Sequence, residues 1–131
     1  MKLRIRGDSL RLRLSRTEVA TLAELGRVED AITFDAATGA ALRYALEASA
    51  DAPATVARFA DGRITVVLPL PVARRWASSE QVGVSAEQPL RPGDAAAGVL
   101  TILVEKDFPC AGRGDAENAD TFAPGSDEMR C

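Results

Sequence analysis

Apolar and charged residues alternate at the start of this chain. In residues 2–6, Leu3 and Ile5 fall on one face, and Lys2, Arg4 and Arg6 on the other. Residues 10–14 repeat the pattern, with Leu10, Leu12 and Leu14 opposite Arg11 and Arg13. Gly7, Asp8 and Ser9 lie between the two runs and supply turn chemistry. A period of two around a glycine-containing loop predicts a β-hairpin with one buried and one basic face.

The period then changes. Ser15 and Glu18 have capping-box spacing, Leu14 and Val19 occupy the staple positions, and Gly26 suits the residue after the last turn. Val19, Leu22, Ala23 and Leu25 form the apolar stripe of a helix over 16–25. Strands are expected at 28–34 and 42–48, joined by a loop from Asp35 to Gly39. A second hairpin spans 55–60 and 63–68 around Asp61-Gly62, a favoured two-residue turn. Pro71 opens a short helix to about residue 78, where Val72 and Trp76 share an apolar face and Arg74 and Arg75 do not.

Residues 85–98 are rich in Ala, Pro and Gly and read as a loop. Residues 99–106 are apolar enough for a central strand. Beyond Phe108 the chain turns polar, glycine-rich and acidic, a composition that buries too little apolar area to offset ordering entropy. The expected fold is α+β: an antiparallel or mixed sheet of about seven strands, in the order β-β-α-β-β-β-β-α-β, with two short helices. The expected division is one domain over 1–108 and a flexible acidic tail over 109–131. No internal repeat shows beyond the hairpin pattern.

Composition narrows the chemistry. With 131 residues and 47% apolar content, a core forms without a metal or disulfide. Histidine is absent, which excludes Ser–His–Asp and Cys–His catalysis and removes the commonest metal ligand. No cofactor or metal is implied. The two cysteines, Cys110 and Cys131, both lie in the tail and fit a reducing compartment. The alternating start is unlike a signal peptide, and no stretch is long and apolar enough to span a membrane. The expectation is a cytoplasmic protein. Net charge is −3, against a dedicated nucleic-acid protein. The charge is uneven: Met1–Arg16 holds six basic residues and one acid, and residues 107–131 hold six acids and two arginines.

Two constellations stand out. The first is Lys2, Arg4, Arg6, Arg11 and Arg13 on one hairpin face. Like charges opposite one another on a sheet repel, so something must compensate. Internal neutralisation by Glu29, Glu47 and Glu105 ranks first, an external anion or acidic partner surface second, and a nucleic-acid backbone last. Only four Phe, one Tyr and one Trp are available for base stacking. The second constellation is Glu105, Lys106, Asp107 and Cys110. Paired carboxylates beside a thiol suit acid–base work, and the bland reading is a strand end with solvated charges. Arg6-Gly-Asp8 and Arg113-Gly-Asp115 are short enough matches to the cell-adhesion tripeptide to arise by chance. The acidic tail could fold back over the basic hairpin or simply solubilise the chain.

The block from Lys2 to Leu14, Lys-Leu-Arg-Ile-Arg-Gly-Asp-Ser-Leu-Arg-Leu-Arg-Leu, resembles the opening of a family of short bacterial proteins of unknown function. Val104-Glu-Lys-Asp-Phe-Pro-Cys110 is similar to that family's second hallmark, with Gln81-Val-Gly83 between them. The resemblance covers residues 1–110. It implies a shared fold, supplies no activity, and draws attention to Arg11, Arg13, Glu105, Lys106, Asp107 and Cys110. The family's short Phe-Pro-Asn-Pro-like ending is replaced here by Phe122-Ala-Pro-Gly and a continuation to Cys131.

The sequence therefore favours a small non-catalytic binding module. Arg4, Arg6, Arg11 and Arg13 would hold an anionic ligand or acidic partner surface. The rival is an enzyme acting on a phosphorylated or carboxylated small molecule through Glu105, Asp107 and Cys110. An exposed edge strand could pair two copies, and nothing in the sequence requires it.

Overall fold

In the computed structural model, which describes residues 1–109, 114 and 118–122, the chain forms eight strands and two helices in two four-stranded sheets. Strands β1 (Lys2–Ile5) and β2 (Ser9–Leu14) make the first hairpin. Helix α1 (Arg16–Leu25) follows, then the hairpin of β3 (Arg27–Asp35) and β4 (Ala40–Ser49). Strands β5 (Val56–Ala60) and β6 (Arg63–Pro69) form the next hairpin and lead into α2 (Leu70–Ser78). Strands β7 (Gly83–Pro89) and β8 (Val99–Lys106) close the chain order as an antiparallel pair.

Helix α1 has the expected bounds because its ends are specified locally. The Glu18 amide donates to Ser15 Oγ at 3.3 Å, and the Ser15 amide donates to Glu18 Oε1 at 2.9 Å. Gly26 stops the helix with φ 78°, and its amide donates to Leu22 O at 2.8 Å. The β5–β6 turn has positive φ at both Asp61 and Gly62, as a primed two-residue turn requires.

The expected single sheet is in fact two mixed sheets, ordered β1-β2-β8-β7 and β3-β4-β6-β5. In each, two hairpins join through a parallel central pair, β2 with β8 and β4 with β6. The order β-β-α-β-β thus occurs twice, and each half completes the other's sheet. This repeat is one of topology, which the residue pattern does not show. The expected loop over 85–98 is also corrected: Val84 and Ala86 face inward, Ser85 and Glu87 face outward, and Gly83–Pro89 pairs along β8. A short 3-10 turn, Ala95–Ala97, follows.

One core serves both sheets. Leu10, Leu12, Leu14, Ile102 and Val104 come from the first, and Val28, Leu46, Val66 and Leu68 from the second. Val19 and Leu22 of α1 and Ala73 and Trp76 of α2 fill the space between them. Trp76 is fully buried and donates its indole N–H to Val82 O at 3.0 Å. Gln88 ties the sheets together: its amide accepts from the Ala57 N–H at 2.7 Å and donates to Ala57 O at 3.0 Å. The side chain thereby acts as a strand partner for β5.

Residues 118–122, assigned by sequence to the tail, pack on the body. The Arg16 amide donates to Asp120 O at 3.0 Å, and the Thr17 amide donates to the Asp120 carboxylate at 3.2 Å. The Phe122 amide donates to Asp107 O at 2.8 Å, and its ring lies 6.2 Å from that of Phe108.

Candidate functional site

The outer face of the β1-β2-β8-β7 sheet carries the basic ladder. Alternation puts Leu10, Leu12 and Leu14 inside, so Arg11 and Arg13 must point out. The hairpin register sets Lys2 opposite Arg13 and Arg4 opposite Arg11. Parallel pairing then places Leu103 beside Arg11 and Glu105 beside Arg13.

That register decides the charge balance. Glu105 Oε1 lies 2.5 Å from Arg13 Nε and 3.4 Å from Arg11 Nε. Lys2 Nζ donates to Asp107 Oδ2 at 3.0 Å. Among the described residues, Arg4 and Arg6 have no acidic partner. Arg4, Arg6, Ser9 and Arg11 line a depression of about 120 Å³. A neighbouring hollow of about 150 Å³ lies between Lys2, Arg4, Arg11 and Arg13. The arginines expected to act together are therefore together on one face. Ser9, missed in the sequence, shares their alternation and lines the same depression.

Internal neutralisation is only partial. Glu105 plays the expected part, and Glu29 and Glu47 do not, because both lie on the other sheet. There Glu29 accepts from Arg27 at 2.8 Å and from Arg63 at 3.2 Å, and Glu47 pairs with Arg27. The Arg27 hydrogen bond, the largest effect, holds the Glu29 carboxyl below its ordinary range; desolvation opposes it, and Arg63 adds a smaller lowering. The tail's described acid, Asp120, caps α1 and does not reach the basic face.

The second constellation departs from a solvated strand end. Lys106 and Asp107 are buried, at 5% and 4% exposure. Lys106 is on the core side of β8, opposite Leu14. Its ammonium lies 5.8 Å from the Trp76 ring centroid and 5.3 Å from that of Phe122, and it donates to Ser79 O at 2.6 Å. Ser79 ends α2, so the charge meets the negative end of a helix. Burial nevertheless pushes Lys106 below the usual lysine range, opposed by Glu80. Glu105 is held between two arginines, and neither acid lines the arginine depression. Cys110, Cys131 and most of Arg113-Gly-Asp115 lie outside the described residues. Among the described residues, no cluster of three or more His, Cys, Asp or Glu side chains is placed to hold a metal ion. No described helix is long and apolar enough to cross a membrane.

Fold and site together define a small α+β protein of two interlocked sheets, one with an incompletely neutralised arginine face. A family model described as "Family of unknown function (DUF7009)" matches residues 1–125, and the chain belongs to that family. No curated protein and no solved structure matches it.

Proposed function

We propose that this protein is a non-catalytic binding module whose arginine face holds a phosphate or carboxylate group. The observation that carries this reading is the depression bounded by Arg4, Arg6, Ser9 and Arg11. Two of its three guanidiniums lack an acidic partner among the described residues, and the third shares Glu105 with Arg13. Directly opposed like charges such as Arg4 and Arg11 destabilise a sheet by roughly 0.2–1 kcal/mol. A bound anion reverses that sign. Guanidinium forks match the planar oxygen pairs of phosphate and carboxylate, and Ser9 adds a neutral donor. The body over 1–108 is the binding unit, working in the cytoplasm. The catalytic alternative draws less support, since Glu105 and Asp107 are each engaged by basic side chains and neither lines the depression.

Calorimetric titration with inorganic phosphate and pyrophosphate, at low and moderate salt, tests the reading. Binding that weakens with salt and drops at least tenfold in Arg4→Ala and Arg6→Ala is the expected result. Equal affinity in wild type and both variants would remove the site from this face.

A further inference from the structure

We infer that the anion held at the arginine face belongs to an amphiphile, whose unbranched apolar chain lies in a groove between the two sheets. The inference rests on the anion-binding reading and names its ligand class. The groove has a volume of about 240 Å³ and opens where the β1–β2 and β5–β6 hairpins end. Ile5 and Leu10 of the first hairpin, Phe59 and Ile64 of the second, and Leu100 supply its apolar lining.

Three observations fix the occupant. First, Ser9 lines both the groove and the arginine depression, so the two adjoin at the first hairpin turn. Second, positive charge predominates beside the groove: Arg58 and Asp8 both line it, and Arg4, Arg6 and Arg11 lie beyond Ser9. A neutral apolar ligand would not use that charge, whereas an anionic head with an apolar tail uses both parts. Third, the lips are large apolar side chains left in water, Ile5 at 60% and Phe59 at 70% exposure. Such a patch beside a concave apolar site marks a ligand or partner surface. The volume of about 240 Å³ matches about eight carbons, if a methylene is taken as roughly water-sized, ~30 Å³.

Burying one methylene raises affinity by about fourfold, so even partial burial of an octyl chain is easily read. The full chain is titrated with inorganic phosphate, octyl phosphate below its micelle concentration, and octanol. Octyl phosphate should bind at least 100-fold more tightly than phosphate, and octanol weakly. Phe59→Ala should remove most of the octyl gain and leave phosphate binding unchanged. Arg4→Ala should weaken both phosphate and octyl phosphate. Phosphate binding with no octyl gain would overturn this inference and leave the anion site standing. Absence of binding by either phosphate compound would overturn both. Sedimentation velocity separates one further occupant: a dimer dispersed by Phe59→Ala, without octyl phosphate binding, would make the groove an interface between copies and refute the amphiphile.

Discussion

Glu105 is predicted to stabilise the fold and weaken the site at once, so Glu105→Gln should move stability and affinity in opposite directions. The carboxylate lies 2.5 Å from Arg13 Nε and 3.4 Å from Arg11 Nε, with only 15% of its side chain exposed. Glutamine keeps the shape and one acceptor oxygen but removes the charge. A charge-assisted hydrogen bond contributes about 1.5–3 kcal/mol and a neutral one about 1 kcal/mol. Two such weakenings on a half-solvated face predict a loss of roughly 1–3 kcal/mol. The same change takes a negative charge away from the anion. Arg11 bounds the depression and touches Glu105, so the anion and the carboxylate are two contacts apart, roughly 7 Å. At that distance their repulsion is about 0.6 kcal/mol at water-like screening and about 2.4 kcal/mol at an effective dielectric of 20. Phosphate affinity should therefore rise by about 3- to 50-fold. Urea denaturation and calorimetric titration on the same preparation read both quantities. A stability loss with unchanged or weaker phosphate binding would refute the placement of the anion beside Arg11.

Lys106→Met should leave stability at pH 7 within about 1.5 kcal/mol of wild type, because the gain from removing a desolvated charge offsets the lost Ser79 and aromatic contacts. Burial holds the folded-state pKa of Lys106 below the ordinary lysine value of 10.5 that the unfolded chain has. Between those two values the unfolded chain binds more protons, so this group adds stability as pH rises toward 10.5 and withdraws it as pH falls. Chemical denaturation from pH 8 to 10.5 should show that rise in wild type and lose it in Lys106→Met; identical slopes would contradict the buried ammonium. Gln88→Ala should cost about 1–3 kcal/mol, since it leaves both the Ala57 N–H and C=O without their partner. Hydrogen exchange at Ala57 should quicken locally, and an unchanged rate would mean the bridge contributes nothing.

The elements specified by neighbouring residues were legible in the sequence. The Ser15–Glu18 box, Gly26 and the Asp61-Gly62 turn each set local geometry within a few residues, and the structure has them as expected. What escaped was long-range pairing. Nothing near Glu29 or Glu47 shows that β4 pairs with β6 and not with β2, and that choice decides which arginines they meet. The β7 strand was hidden by a composition of Ala, Pro and Gly, although Val84, Ser85, Ala86 and Glu87 keep the alternation. Residue type alone suggests a solvated Lys106, whereas its strand position says otherwise. Val104 and Lys106 share one strand face, and that face is the core. The arginine face itself was legible because a hairpin is local. Its degree of neutralisation was not, because the neutralising residue lies 92 positions from Arg13.

The topological repeat gives an internal control for the site. Aligning each hairpin on the helix that follows it matches Glu105 with Glu47, Arg4 with Arg58, Arg11 with Thr65 and Ile5 with Phe59. Both sheets keep a glutamate on the strand beside the centre of the outer face, so the carboxylate fits the shared architecture. The arginines around it differ. On the second sheet, Arg27 pairs with Glu47 and Glu29, and Glu29 also takes Arg63, so acids alternate with bases. On the first sheet, the strand positions matching Arg27 and Glu29 are Gly83 and Ser85, which bring no charge. Glu105 and Asp107 then pair with Lys2, Arg11 and Arg13, while Glu87 on β7 faces outward and, among the described residues, forms no ion pair with Arg4 or Arg6. One topology thus yields two basic faces that differ in degree, since Arg43 and Arg58 of the second sheet also lie outside its ion pairs among the described residues. The groove, by contrast, is built from matched residues of both halves, Ile5 with Phe59 and Leu10 with Ile64. An amphiphile bound there would lie between equivalent hairpins, and only the charge imbalance would decide toward which sheet its head turns.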